Sequence, residues 1–164
     1  MDIEADLARI ALQEERLLFA KFDAGVAWDL GVALKAAAER RGVGVALDIS
    51  TPSYSLFSHA MAGATPDNSE WVRRKRNVTL RFHRSSYAVG LDLQRSGRTM
   101  EEKHGLRADD YMAHGGSFPI RLAGPIVIGA ITVSGLPQRE DHDLLTRTLA
   151  VFLGVDVDSV ALSS

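Results

Sequence analysis

Six cations fall between Trp71 and Arg84 with no acid among them: Arg73, Arg74, Lys75, Arg76, Arg81 and Arg84. On a helix, at about 100° per residue, the five arginines lie within an arc of roughly 160°. Trp71, Val78 and Phe82 fall opposite, and Lys75 alone lies on the apolar side. A planar guanidinium suits bidentate binding of carboxylates and phosphates. The arc therefore reads as a solvated face with scattered ion pairs, as a contact with acids such as Asp2, Glu4 and Asp6 of a second copy, or as an anion site. Nucleic acid is the reading set aside, because one basic helix in a chain of net charge −2 is a thin footprint.

A second cluster is His114-Gly115-Gly116, where paired glycines let backbone approach a ligand or another chain closely. His114 can act as an acid or base near neutral pH, or simply cap its loop through backbone. No carboxylate that would orient it is legible, so enzymatic activity is left open. The five histidines are His59, His83, His104, His114 and His142, and none is three to five residues from another, so no local metal pair is expected. His142, Glu140 and Asp141 open a helix, where solvation and complement to the helix dipole are the simplest roles. Trp28 and Trp71 read as core or interface aromatics. Gly42-Val43-Gly44 fails as a dinucleotide fingerprint, because position 47 is Leu and the glycines precede a strand instead of following one.

These residues must be positioned by regular elements. Apolar spacing predicts helices over about 2–21, 24–41, 66–83, 87–95 and 138–153, with Arg98 to His104 a further helical stretch. Val43, Val45, Leu47 and Ile49 alternate with small or polar residues, and 43–61 reads as a β-hairpin through Thr51-Pro52-Ser53. Phe118 to Leu122 and Ile126 to Ser134 read as strands joined through a turn at Gly124-Pro125. The latter is apolar on both alternating sets, so it is expected at the sheet centre, covered on both faces. The short connections favour antiparallel pairing. The expected architecture is α+β: a mainly antiparallel central sheet of about five strands flanked by helices, in one domain spanning 1–164.

At 164 residues the chain can bury about two-thirds of its surface without staples. The absence of cysteine excludes disulfides, zinc–thiolate sites, iron–sulfur clusters and thiol nucleophiles. An acidic N-terminus and apolar runs shorter than ~18 residues give no targeting or membrane signal, and the expected location is cytoplasmic.

The segments His114-Gly115-Gly116-Ser117-Phe118-Pro119-Ile120 and Gly129-Ala130-Ile131-Thr132-Val133-Ser134-Gly135, followed by Glu140-Asp141-His142, resemble the haem-degrading-domain superfamily, which includes HbpS, GlcG and the C-terminal domain of PduO. Trp71-Val72-Arg73-Arg74-Lys75-Arg76-Asn77, Arg81-Phe82, Ser85-Ser86 and the run through Gln138 resemble one branch of it over nearly the whole chain. The resemblance implies a profilin-like fold, homo-oligomers, and haem or another anionic tetrapyrrole as a possible cofactor. It also implies that the glycine corner brings His114 near the middle helix. The expected ligand-binding set is Arg73, Arg74, His114, Gly115, Gly116 and Arg121, with His59, His83 and Tyr54 as other candidate axial groups. Lacking a complete catalytic constellation, the chain also fits a non-catalytic oligomeric scaffold or adaptor for protein–protein interaction.

Overall fold

The computed structural model describes residues 2–124 and 126–163. Helices α1 (Ile3–Arg16) and α2 (Ala24–Arg40) precede a hairpin of β1 (Ala46–Ser50) and β2 (Ser55–Ala60). Then come α3 (Pro66–Phe82), α4 (Ser86–Ser96), α5 (Met100–His104), β3 (Ser117–Arg121), β4 (Val127–Ser134), α6 (Gln138–Leu153) and α7 (Val157–Val160). The strands form one antiparallel sheet in the order β2-β1-β4-β3. It has four strands where about five were expected, and β4 is central as its two-sided apolar pattern required. The predicted turn at Gly124-Pro125 includes Pro125, which lies outside the described residues.

The two faces of the sheet differ in chemistry. Leu47 and Ile49 of β1, Phe118 and Ile120 of β3, and Ile131 and Val133 of β4 join Leu30, Leu34, Leu144, Leu145 and Leu149 in the main core. This is the face covered by α2 and α6. The alternate residues carry oxygen: Asp48, Ser50, Ser117, Thr132 and Ser134 are all buried. α3 lies over this second face. Its Arg76 donates to Asp48 Oδ2 (3.2 Å) and Ser50 Oγ (3.3 Å), and Ser117 and Thr132 hydroxyls pair at 2.9 Å. A helix packed on a polar sheet face must bring donors with it, because an unpaired buried polar group costs about 1–3 kcal/mol. This requirement explains why cations of α3 point inward.

α1 is shorter than the predicted 2–21. It stops at Arg16, and the following chain becomes extended, with Phe19 N–H donating to the Arg121 carbonyl (2.8 Å) beside β3. Leu17 and Phe19 are buried in the core from that extended segment, so their apolar character reflects tertiary packing and not helical periodicity. α1 itself turns Asp6, Ile10 and Gln13 inward. Asp6 accepts two bonds from the Arg139 guanidinium (3.1 Å each) and one from the Tyr87 hydroxyl (3.0 Å). Gln13 Oε1 meets His142 Nε2 at 2.8 Å. The expectation that His142 is solvated is thus overturned: it is fully buried, and burial pushes its pKa down to about 4.

Candidate functional site

The site forms where the N-terminal halves of α3 and α6 meet the loop entering β3. Thr65 starts α3, its N–H donating to Asn68 Oδ1 (2.8 Å), and Pro66 occupies the first turn, where its missing N–H costs nothing. Trp71 follows one turn later, its indole Nε1–H donating to Asp67 (3.1 Å). The His114 ring lies against Trp71 with centroids 5.1 Å apart and planes tilted by 30°. The Arg74 guanidinium carbon sits 4.8 Å from the same ring centroid, within cation–π range. The middle helix and the glycine corner therefore meet.

The loop bearing His114 is tied down by the basic helix. Arg73 donates to Asp110 Oδ1 (3.0 Å) and to the Asp109 carbonyl (2.8 Å), Asn77 donates to the Asp110 carbonyl (2.9 Å), and Met112 N–H donates to the Arg74 carbonyl (3.3 Å). Gly115 and Gly116 then pass through space that no side chain could share. A Cβ on Gly115 would lie 2.1 Å from the Gln138 carbonyl oxygen. One on Gly116, whose φ is +121°, would lie 2.4 Å from that of Val133 and 3.0 Å from Lys75 Nζ.

Beneath this corner is a buried ion pair. Lys75 Nζ donates to Asp141 Oδ2 (2.7 Å) and to the Val133 carbonyl (3.3 Å), and Asp141 also accepts from the N–H groups of Leu136 (3.0 Å) and Gly135 (3.4 Å). Lys75 is 3% exposed and Asp141 0%. Burial lowers the affinity of Lys75 for its proton and raises that of Asp141, each against the pull of its partner's charge. Partial burial, and then the Lys75 charge, also lowers the pKa of His114 from the ordinary histidine value. Among the described residues neither His114 ring nitrogen has a hydrogen-bond partner.

Two cavities meet at His114 and Gln138. One, of about 470 Å³, is lined by Asp67, Asn68, Trp71, Lys75 and the 134–138 turn. The other, of about 370 Å³, is walled by Leu91, Leu93, Met100, Tyr111, Met112 and Ala113. Of the expected set, His114, Gly115, Gly116 and Arg74 gather here, and Arg73 holds their loop from outside. Arg121 lies elsewhere, at the far end of β3, donating to the carbonyl of His83 (2.6 Å). His83 caps the C-terminus of α3, about 18 Å along the helix axis from Trp71. Of the other arginines of the arc, Arg76 is engaged by Asp48 and Arg84 by Asp92, Arg81 is exposed, and Glu4 and Asp6 meet Arg95 and Arg139 of the same chain.

Sequence reasoning passed over Lys75 and Asp141 as site residues. The available signal was Lys75 itself, a lone cation on the apolar side of its helical wheel. Asp141 stood within the family-like Glu140-Asp141-His142 element, but an acid in the first turn of a helix usually needs no explanation beyond the dipole.

The fold and the sequence now point the same way. Residues 22–150 match the family model described as haem degrading protein HbpS-like. The chain belongs to the HbpS-like family. It is 52% identical over 160 residues to a UPF0303 protein of Serratia proteamaculans, covering 98% of this chain and 99% of that one. A UPF0303 protein of Rhizobium etli is likewise 52% identical over 163 residues, with 99% of each chain covered. Among solved structures, the Ybr137w protein superposes with a TM-score of 0.84 at 31% identity, over 90% of this chain and 87% of that one. A structure of PduOC, determined as a heme complex, shares the fold with a TM-score of 0.68 at 18% identity, over 83% of this chain and 97% of that one.

Proposed function

We propose that this HbpS-like protein is a cytoplasmic homo-oligomer that binds haem or a related anionic tetrapyrrole in the cleft at His114. The observation that carries this reading is the His114 imidazole. It bears no protein hydrogen bond among the described residues, stands where the two cavities meet, and has its proton affinity lowered by partial burial. A haem-type group asks for a base to ligate its iron, a cation for its carboxylates and an apolar wall. His114 would supply the first. Arg74 supplies the second, being held by Trp71 and engaged in no salt bridge among the described residues. Leu91, Leu93, Met100 and Met112 supply the third. The residues present thus fit the group, and the heme complex of PduOC on the same fold favours it over other anions. Bound there, the iron would offer redox and oxygen chemistry that this chain's own side chains lack. The chain's part would be to hold the group at His114 and to balance its negative charge through Arg74.

Assembly is supported by the exposed α2 ridge. Trp28 is 61% and Val32 46% exposed one turn apart, with Phe57 of β2 edge-on to Trp28 at 5.8 Å. Apolar exposure of this kind marks contact surfaces. Titration with hemin tests the ligand. A Soret shift is expected for the wild-type protein and is lost in His114→Ala. No shift, or one unaffected by His114→Ala combined with Arg74→Ala, overturns the reading. Light scattering on the same sample tests assembly, and a monomer overturns that part.

A further inference from the structure

We propose that Lys75 is an amine nucleophile that captures small carbonyl compounds, aldehydes or α-keto acids, as an imine at the floor of the cleft between α3 and α6. The inference goes beyond tetrapyrrole binding and rests on different residues. Lys75 is held in one place by Asp141 Oδ2 and the Val133 carbonyl, yet an ammonium carries three donors. Its third position has no acceptor among the described residues, and the side chain lines the 470 Å³ cavity.

Three features turn this amine from a structural cation into a reagent. First, the pair is buried, and a low-dielectric site disfavours both charges together. A proton passing from Nζ to Oδ2 along their 2.7 Å hydrogen bond leaves a neutral amine with a free lone pair beside a neutral carboxylic acid. Second, the Leu136 and Gly135 N–H groups fix the Asp141 carboxyl, so the acid stays beside the nitrogen that it serves. Third, the cavity, of about 470 Å³, has room for a small molecule, and Trp71 and His114 on its wall reach solvent.

The chemistry balances within these groups. The Nζ lone pair forms a C–N bond to the carbonyl carbon, and the C=O π electrons move to oxygen, which takes the proton held by Asp141. The carbinolamine nitrogen returns a proton to the Asp141 carboxylate. The hydroxyl then leaves as water, taking the proton that Asp141 has just received. In sum, the ammonium loses two hydrogens with the carbonyl oxygen as water, and the imine nitrogen retains the third as an iminium facing the Asp141 carboxylate. No oxidant, reductant or metal is required.

The other lysines are internal controls. Lys21 and Lys103 are exposed, and Lys35 is engaged by Glu39 on the surface of α2. The folded wild-type chain is incubated with glyoxylate in one arm and propionaldehyde in the other, reduced with cyanoborohydride, digested and mapped. Trapping at Lys75 is expected to exceed that at each surface lysine by about tenfold or more, because the depressed proton affinity of a buried amine raises its free-base fraction. The relative yield of the two arms tells whether the cleft prefers an anionic substrate. Lys75→Arg keeps the charge and abolishes the cleft adduct, and Asp141→Asn lowers its yield while circular dichroism stays native. Equal labelling of all four lysines, or no adduct at Lys75 in folded wild-type protein from either arm, overturns the proposal. The readout needs no hemin, so failure here and failure of a Soret shift are separate results.

Discussion

Buried neutral, His142 makes the stability of this protein depend on pH in a way that can be worked out. Burial shifts its pKa from an ordinary 6.5 to about 4 in the folded chain. Between these values the unfolded chain binds a proton that the folded chain refuses, so stability rises with pH across this window and is lost as the pH falls through it. Integrating the linkage between about pH 7 and pH 5 gives a loss of about 2 kcal/mol from this one residue. With a urea slope of about 2 kcal/mol/M, the unfolding midpoint drops by on the order of 1 M over that interval. Glu14 and Asp141, whose carboxyls burial pushes upward, act in the opposite sense. The measurement must therefore be a difference: urea melts of the wild type and His142→Gln at both pH values. The variant cannot titrate, and its midpoint should fall by about 1 M less than that of the wild type. Equal falls in the two proteins would refute the assignment of a buried, neutral His142.

Two further predictions concern the corner beneath His114. Replacing Lys75 by Met strands the Asp141 carboxylate and is expected to cost about 3–5 kcal/mol in urea unfolding, whereas Lys75→Met with Asp141→Leu recovers most of that loss. A double variant no more stable than the single would show that the two side chains do not act as a pair. Gly116→Ala places a Cβ 2.4 Å from the Val133 oxygen at a φ of +121° and is expected to cost about 2–4 kcal/mol. A loss below about 1 kcal/mol would mean that the corner relaxes freely.

Much of the scaffold was legible in the sequence because its signals are local. Alternation at Val45, Leu47 and Ile49 set β1 and its inward face, the two-sided apolar run set β4 at the sheet centre, and Thr65-Pro66 marked the start of α3. The motif around His114-Gly115-Gly116 placed the chain in its family and implied that His114 lies near the middle helix, where the structure sets it against Trp71. The end of α1 was not legible: Leu17 and Phe19 continue an apolar pattern whose cause is contact with β3 and the core, and periodicity cannot tell an inward helix face from an inward extended segment.

The sequence by itself determined most of the elements, the family and the presence of a basic helix with one cation on its apolar side. Only the tertiary structure decided what those charges do. It spent Arg73, Arg76 and Arg84 on the chain's own carboxylates, sent Arg121 to the far end of β3, and left Arg74 on Trp71. It buried His142 against Gln13 and Lys75 against Asp141, 66 residues apart in the chain. The physical reason is that an ion pair or a depressed pKa arises from desolvation and from partners brought together in space, and a residue's type and spacing specify neither.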